Sequence, residues 1–258
     1  MNRSDFRIVP LMFALAACSA TGEGTLETRI YGEGFIEDGI PVEVFSDGWS
    51  ITFSRFLVAL DEVGTDDGED PGRYLFDLTK KTSGEGQAVA PVAVGSGEQR
   101  LQYRVAPGGT ATGGNASQAD RMLMLDGGYA LFVEGTATNG AANIGFAWGL
   151  DTDTTYRECE VVESVPVDGS ATTVITIHAD HIFYDDLEST TPNVAFDLIA
   201  ASDADADGVV TQAELLGRDL TTEARYQVGS QHIDNLWDYM SALSQTVGHI
   251  DGEGECKT

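Results

Sequence analysis

Two sets of residues in this chain have types and spacings suited to chemistry, and both point to metal ions. Between Asp203 and Glu214 the sequence reads Asp-Ala-Asp-Ala-Asp-Gly-Val-Val-Thr-Gln-Ala-Glu, which puts four carboxylates into twelve residues. Carboxylates this crowded repel one another unless a cation lies among them, and calcium is a hard ion that takes six to eight oxygens. The second set is the histidines, His178, His181, His232 and His249, all in the C-terminal third. His178-Ala-Asp-His181 is the densest cluster, with Asp185 and Asp186 just beyond. Imidazole is the commonest transition-metal ligand, so His178, His181 and His249 are candidates to hold copper or zinc. On a regular strand, residues three apart point to opposite faces, so His178 and His181 share an ion only if the strand breaks between them. Alternation fails around Asp180, and Asp185-Asp186 has the composition of a turn. Without a metal, the same side chains read as surface or hydrogen-bonded histidines.

The acidic segment resembles the calcium loop of the EF-hand family over its full twelve-residue spacing. That resemblance implies carboxylate ligands from Asp203, Asp205 and Asp207 and a sharp turn at Gly208. It also implies a backbone carbonyl from Val209, a hydroxyl or held water from Thr211, and a bidentate clamp from Glu214. Val210 is apolar, as the family expects of the residue that turns inward. The flanks Val194–Ser202 and Gln212–Leu216 are long enough for short helices, with Pro192 before the first and Gly217 after the second. EF-hands usually pair, yet no second loop of this spacing occurs, which argues for a structural clip rather than a sensor.

The N-terminus has the form of a secretion signal: Arg3 and Arg7, then an apolar run from Ile8 to Ala17 that is too short to span a bilayer. It ends in Leu15-Ala16-Ala17-Cys18, which resembles the lipobox of bacterial lipoproteins. The resemblance implies cleavage before Cys18, a lipid on that cysteine and a membrane anchor. Ser19 stands where an aspartate would favour retention in the inner membrane, so the expectation is an exported cell-envelope protein, outer membrane rather than inner. The net charge of -28 repels phosphate backbones and excludes nucleic acid as a partner. It suits a surface bathed in divalent ions, and equally one selected for solubility alone.

Beyond Cys18 only Cys159 and Cys256 remain, and in an oxidising compartment an even pair predicts a disulfide. It would close a loop of about 98 residues, stabilising by up to about 4.7 kcal/mol in the chain-entropy model. If Asp168-Gly169 makes a two-residue hairpin turn, the register sets Cys159 opposite His178, and the bridge then draws the tail and His249 toward His178.

These residues must be positioned by elements whose patterns are mostly strand-like. Period-two alternation and Gly-rich breaks predict strands at Leu26–Tyr31, Val42–Phe45, Trp49–Val63, Tyr74–Thr79, Ala88–Val94, Leu101–Val105, Met122–Leu125, Tyr129–Ala137, Ile144–Leu150, Tyr156–Val165 and Thr172–Ile177. The second half of Trp49–Val63 is apolar on both faces, as in a central strand. Pro107 to Ser117, rich in Gly, Thr and Ala, reads as a surface loop, and no helical pattern occurs before about residue 194. From Ser230 to Val247, apolar residues three and four apart predict one amphipathic helix capped by Ser230 and stopped at Gly248. The expected organisation is a signal over 1–17, a tether over 18–25, a β-sandwich over 26–190, and an EF-hand-like calcium loop and helix packed on it over 191–258.

Catalytic motifs are missing: Ala179 occupies the glutamate position of the zinc-protease pattern, and there is no nucleophile elbow, P-loop or dinucleotide fingerprint. The expected function is therefore a lipid-anchored, calcium-stabilised binding or structural module without enzymatic activity. The alternative is a periplasmic copper or zinc protein using His178, His181 and His249. No residue pattern names a ligand or protein partner.

Overall fold

The computed structural model describes residues 22–107 and 110–258; the lipobox Leu15–Cys18 lies outside the described residues. The protein is mainly β, with two sheets and a few short helices. In chain order the first half runs β1 (Glu23–Tyr31), α1 (Glu33–Glu37), β2 (Ser50–Thr65), β3 (Gly68–Asp70), β4 (Tyr74–Asp77), β5 (Gln87–Gly95), β6 (Arg100–Val105) and α2 (Gln118–Gly127). There follow β7 (Leu131–Thr138), β8 (Asn143–Leu150), β9 (Thr154–Glu160) and β10 (Ser170–Ile177). The last third holds a 3₁₀ turn at Asp180–Phe183, α3 (Asp197–Ala200), β11 (Val209–Val210), α4 (Gln212–Gly217), α5 (Leu236–Leu243), a 3₁₀ turn at Ser244–Thr246 and β12 (Gly248–Ile250).

The smaller sheet has the order β12-β10-β1-β5; the larger runs β11-β8-β7-β2-β6-β9, with β3 and β4 also paired to β2. One buried core joins them: Leu26, Ile30, Val92, Ile175 and Ile177 from the smaller sheet meet Phe56, Val58, Val133, Phe146 and Trp148 from the larger. The long strand β2 is central, as its double-sided apolar pattern requires. Phe56 and Val58 face the main core, while Leu57 and Ala59 join Leu75, Phe132 and Met124 in a second cluster under α2. From α5, Leu236, Trp237, Tyr239, Met240 and Leu243 are buried in the main core, so the last third of the chain is packed on the sheets. Among the described residues no helix is long and apolar enough to cross a membrane.

Three sequence expectations fail for identifiable reasons. Met122–Leu125 lies in the helix α2, because Ser117 caps Gln118–Gly127 by accepting the Asp120 N–H at 3.2 Å and Gly128 ends it with φ +65°. Val42–Phe45 forms a turn, with Val44 N–H donating to Pro41 O at 3.1 Å. The predicted Ser230–Val247 helix shrinks to α5, because Asn235 caps it by accepting from Asp238 N–H at 2.9 Å. Ser230 is occupied elsewhere, its N–H and hydroxyl both donating to Glu188 at 2.7 Å.

Candidate metal centre

The structure brings His178, His181 and His249 together, with ring centroids 4.5 Å apart for His178–His249, 5.1 Å for His181–His249 and 5.3 Å for His178–His181. β12 supplies the His249 ring, and His178 follows directly on β10. The two strands pair antiparallel with Thr176 opposite His249, so His178, two residues on from Thr176, lies on the same face as a diagonal neighbour. β10 ends at Ile177, and the 3₁₀ turn then swings His181 to that face. The strand break that sharing an ion requires is present.

The route by which His249 arrives differs from the expected one. β9 does not pair with β10: it lies in the larger sheet with Cys159 opposite Leu101, while β10 lies in the smaller sheet between β1 and β12. Cys159 is therefore not opposite His178. The Asp168-Gly169 turn is real, but Asp168 N–H donates to Glu23 O at 2.8 Å, so the turn feeds β10 onto β1 rather than back onto β9. The Cys159–Cys256 disulfide exists and ties the segment after β12 across to β9.

Two tyrosines of the larger sheet seat β12. Tyr103 and Tyr156 stack with ring centroids 4.8 Å apart. The Tyr103 hydroxyl donates to His249 O at 3.0 Å and that of Tyr156 to Gln245 O at 2.9 Å, while Gly248 N–H donates to Tyr156 Oη at 3.1 Å. A Cβ at Gly248 would lie 2.6 Å from Tyr156 Cζ and 2.7 Å from Tyr103 Oη, so only glycine lets the strand come this close.

The hydrogen bonds assign roles to the ring nitrogens. His178 Nε2 lies 3.2 Å from Gly252 O, which can only accept, so Nε2 carries a proton, and in the neutral ring Nδ1 is then the nitrogen with the lone pair. His181 Nδ1 lies 3.1 Å from Thr246 Oγ1. The Thr246 hydroxyl already donates to Leu243 O at 2.9 Å, so it accepts from His181, leaving Nε2 as the free base. His249 Nδ1 is buried without a hydrogen-bond partner among the described residues. Burial, and then the neighbouring His249 and His178, push the His181 pKa down to about 3. Burial and His178 lower that of His249. Metal ligation needs these neutral, unprotonated imidazoles.

Carboxylates surround the rings. Donor atoms of His178, Asp180 and His181 lie within 4.8 Å of one another, as do those of Glu33, His178 and Glu253. Glu33 reaches the site because β1 runs parallel to β10 with Tyr31 opposite Thr176, which carries the chain to the level of His178. Its Oε1 is 3.9 Å from His178 Nε2, and burial first of all raises its pKa. Tyr184 stands 4.5 Å from the His181 ring and donates its hydroxyl to Asp180 Oδ2 at 2.9 Å. Glu33, Glu253 and Tyr184 carry no motif in the sequence; only the sheet register and the turn bring them here. His232 is exposed and apart from the cluster. Asp185 accepts from Asn193 and Arg225, and Asp186 from the Glu188 and Ser189 N–H groups, so neither joins it.

The Asp203–Glu214 loop forms a second acidic centre. Carboxylate oxygens of Asp203, Asp205 and Glu214 lie within 4.8 Å of one another, and Gly208 turns the chain with φ +83°. Glu214 Oε1 accepts from Ala204 N–H at 2.9 Å and Oε2 from Thr211 N–H at 2.8 Å, which draws the loop's ends together. Asp207 is turned to its own backbone, accepting from Val209 N–H at 2.8 Å, and the Thr211 hydroxyl donates to Glu214 at 2.8 Å. Val209 and Val210 form β11, which pairs with the β8 edge opposite Gly145 and Phe146, and Trp148 Nε1–H donates to Val210 O at 2.8 Å.

No protein-family model matches this chain, and the searches of curated proteins and of solved structures return no match either.

Proposed function

We propose that this chain is an exported metal-binding protein that holds one transition-metal ion, copper or zinc, between His178, His181 and His249. The observation that carries the reading is the division of labour in the rings. His178 and His181 each commit one nitrogen to a protein oxygen and keep the other as a free base, and His249 has a buried nitrogen with nothing to bond. Ligating histidines use this arrangement, with the second nitrogen anchored so that the first is aimed. Without an ion, the buried Nδ1 of His249 would be left unsatisfied, which costs free energy.

A calcium ion in the Asp203–Glu214 loop is the companion reading, supported by the three converging carboxylates and the turn at Gly208. Because β11 docks on a sheet edge rather than on a second calcium loop, the ion would act as a structural clip. Lipid attachment at Cys18, and with it the envelope location, rests on the Leu-Ala-Ala-Cys run alone.

Native mass spectrometry and elemental analysis of membrane-extracted protein address the three claims in one sample. The expected species begins at Cys18 with acyl chains and carries one calcium and one copper or zinc. His249→Ala should lose the transition metal and keep the calcium. Equal copper and zinc content in His249→Ala and wild type would falsify the histidine centre, and an unmodified, soluble Cys18 would exclude the anchor.

A further inference from the structure

We infer that Asp180 is the fourth protein ligand of the histidine centre and that it tunes the centre toward a divalent ion over cuprous copper; this rests on the three-histidine reading. Asp180 opens the 3₁₀ turn between the two histidines of the cluster, and its carboxylate shares the 4.8 Å grouping with their donor atoms. Tetrahedral ligand atoms at bonds of about 2.1 Å stand about 3.4 Å apart, so His178, Asp180 and His181 must draw in by up to about 1.4 Å on binding, and His249, outside this grouping, must approach as well. The two oxygens of Asp180 are treated differently. Oδ2 accepts the Tyr184 hydroxyl at 2.9 Å, while Oδ1 is buried without a partner among the described residues. An anionic oxygen left bare inside a protein is unfavourable unless a donor or a cation meets it. The donor atoms grouped with this carboxylate are those of His178 and His181. Tyr184 then acts in the outer shell, holding the carboxylate so that only Oδ1 ligates.

Glu33 is the competing carboxylate, and the hydrogen-bond pattern assigns it elsewhere. It approaches His178 at Nε2, the nitrogen whose proton is shared with Gly252 O, and so supports that N–H rather than the metal side of the ring. Three imidazoles and one carboxylate make a hard, anionic four-ligand set of the kind that suits zinc or another divalent ion. Cuprous copper favours softer donors and gains little from a carboxylate.

The test uses the full chain, stripped of transition metal and kept in calcium, titrated with Zn²⁺ and, under anaerobic reduction, with Cu⁺ against competing chelators. Asp180→Asn keeps the size of the side chain and its contact with Tyr184, and should weaken Zn²⁺ at least tenfold while Cu⁺ changes less than about threefold. The visible bands of the Co²⁺-loaded protein should shift in the same variant, because an oxygen ligand has been exchanged. Should Asp180→Asn fail to fold, as judged by its melting curve, Tyr184→Phe takes its place, with a loss of several-fold for Zn²⁺ alone. Unchanged Zn²⁺ affinity in the folded variant, alongside a defective His249→Ala, overturns the role of Asp180 and leaves the three-histidine centre standing. A wild-type chain that binds neither ion overturns both.

Discussion

At the scale of single residues, the cluster is unusual in what its imidazoles are denied. Burial and mutual repulsion disfavour the charged forms of His181 and His249, and at His249 the carboxylates of Glu255, Glu253 and Asp180 offset this only in part. The consequence for the metal-free protein is a defined pH dependence. An unfolded histidine takes up its proton near pH 6.5, whereas folded His181 does so only near pH 3. Between those values the unfolded chain binds the extra proton, so this share of stability is present above about pH 6.5 and is lost as the pH falls toward about 3. His249 acts in the same direction. In calcium-loaded, transition-metal-free protein, denaturant titrations of wild type should therefore lose stability faster than His181→Gln below pH 6.5, by at most about 1.4 kcal/mol per pH unit. Parallel curves for the two proteins would mean that His181 is charged in the folded state.

At the scale of elements, two very short strands position the candidate sites, and neither could form alone. β12 is three residues long, and its position depends on β10, on the paired tyrosines and on the bare Gly248 that lets them approach. β11 is two residues long and fixes the acidic loop by borrowing hydrogen bonds from β8. In this loop Glu214 serves twice, as a candidate clamp and as half of the capping box that starts α4. Calcium at about 100 times its dissociation constant should add about 2.7 kcal/mol to stability, on the order of 5–10 °C in melting temperature for a chain of this size. Glu214→Gln should remove most of that rise, because it exchanges a bidentate anionic ligand for a neutral one. Asp219→Asn, outside the loop, should leave it nearly unchanged. A melting temperature indifferent to both millimolar calcium and chelator would return the loop to an ordinary acidic turn.

At the scale of the whole molecule, the disulfide joins what the two sheets keep apart. Cys159 lies on β9 in the larger sheet and Cys256 follows β12 of the smaller, 97 positions away in sequence. Closing so long a loop lowers the entropy of the unfolded chain, by up to about 4.7 kcal/mol in free energy. It also tethers the segment that holds His249. Cys159→Ala and Cys256→Ala should therefore destabilise by similar amounts and should both weaken zinc binding, as read by chemical denaturation and chelator competition. If only Cys159→Ala destabilises, the effect is a cavity at that buried site rather than loss of the bond.

The sequence by itself determined what could be stated within a window of local physics. Alternating apolar residues located most strands, and the double-sided run in β2 marked the central one, because burial of a strand face is recorded at period two. The twelve-residue acidic spacing was legible for the same reason, since one contiguous segment supplies every candidate ligand. The Cys159–Cys256 pair followed from parity. Local signals misled where two elements compete for the same residues: the apolar run of α2 resembles a strand, and Asn235 displaced Ser230 as a cap. The assembly of the histidine centre was decided only by tertiary structure. Its members come from β12, from the end of β10, from the turn after it and from the chain after β1, spread from Glu33 to Glu253. Which strands become neighbours depends on the summed packing of two sheets over one core, and no local window contains that sum.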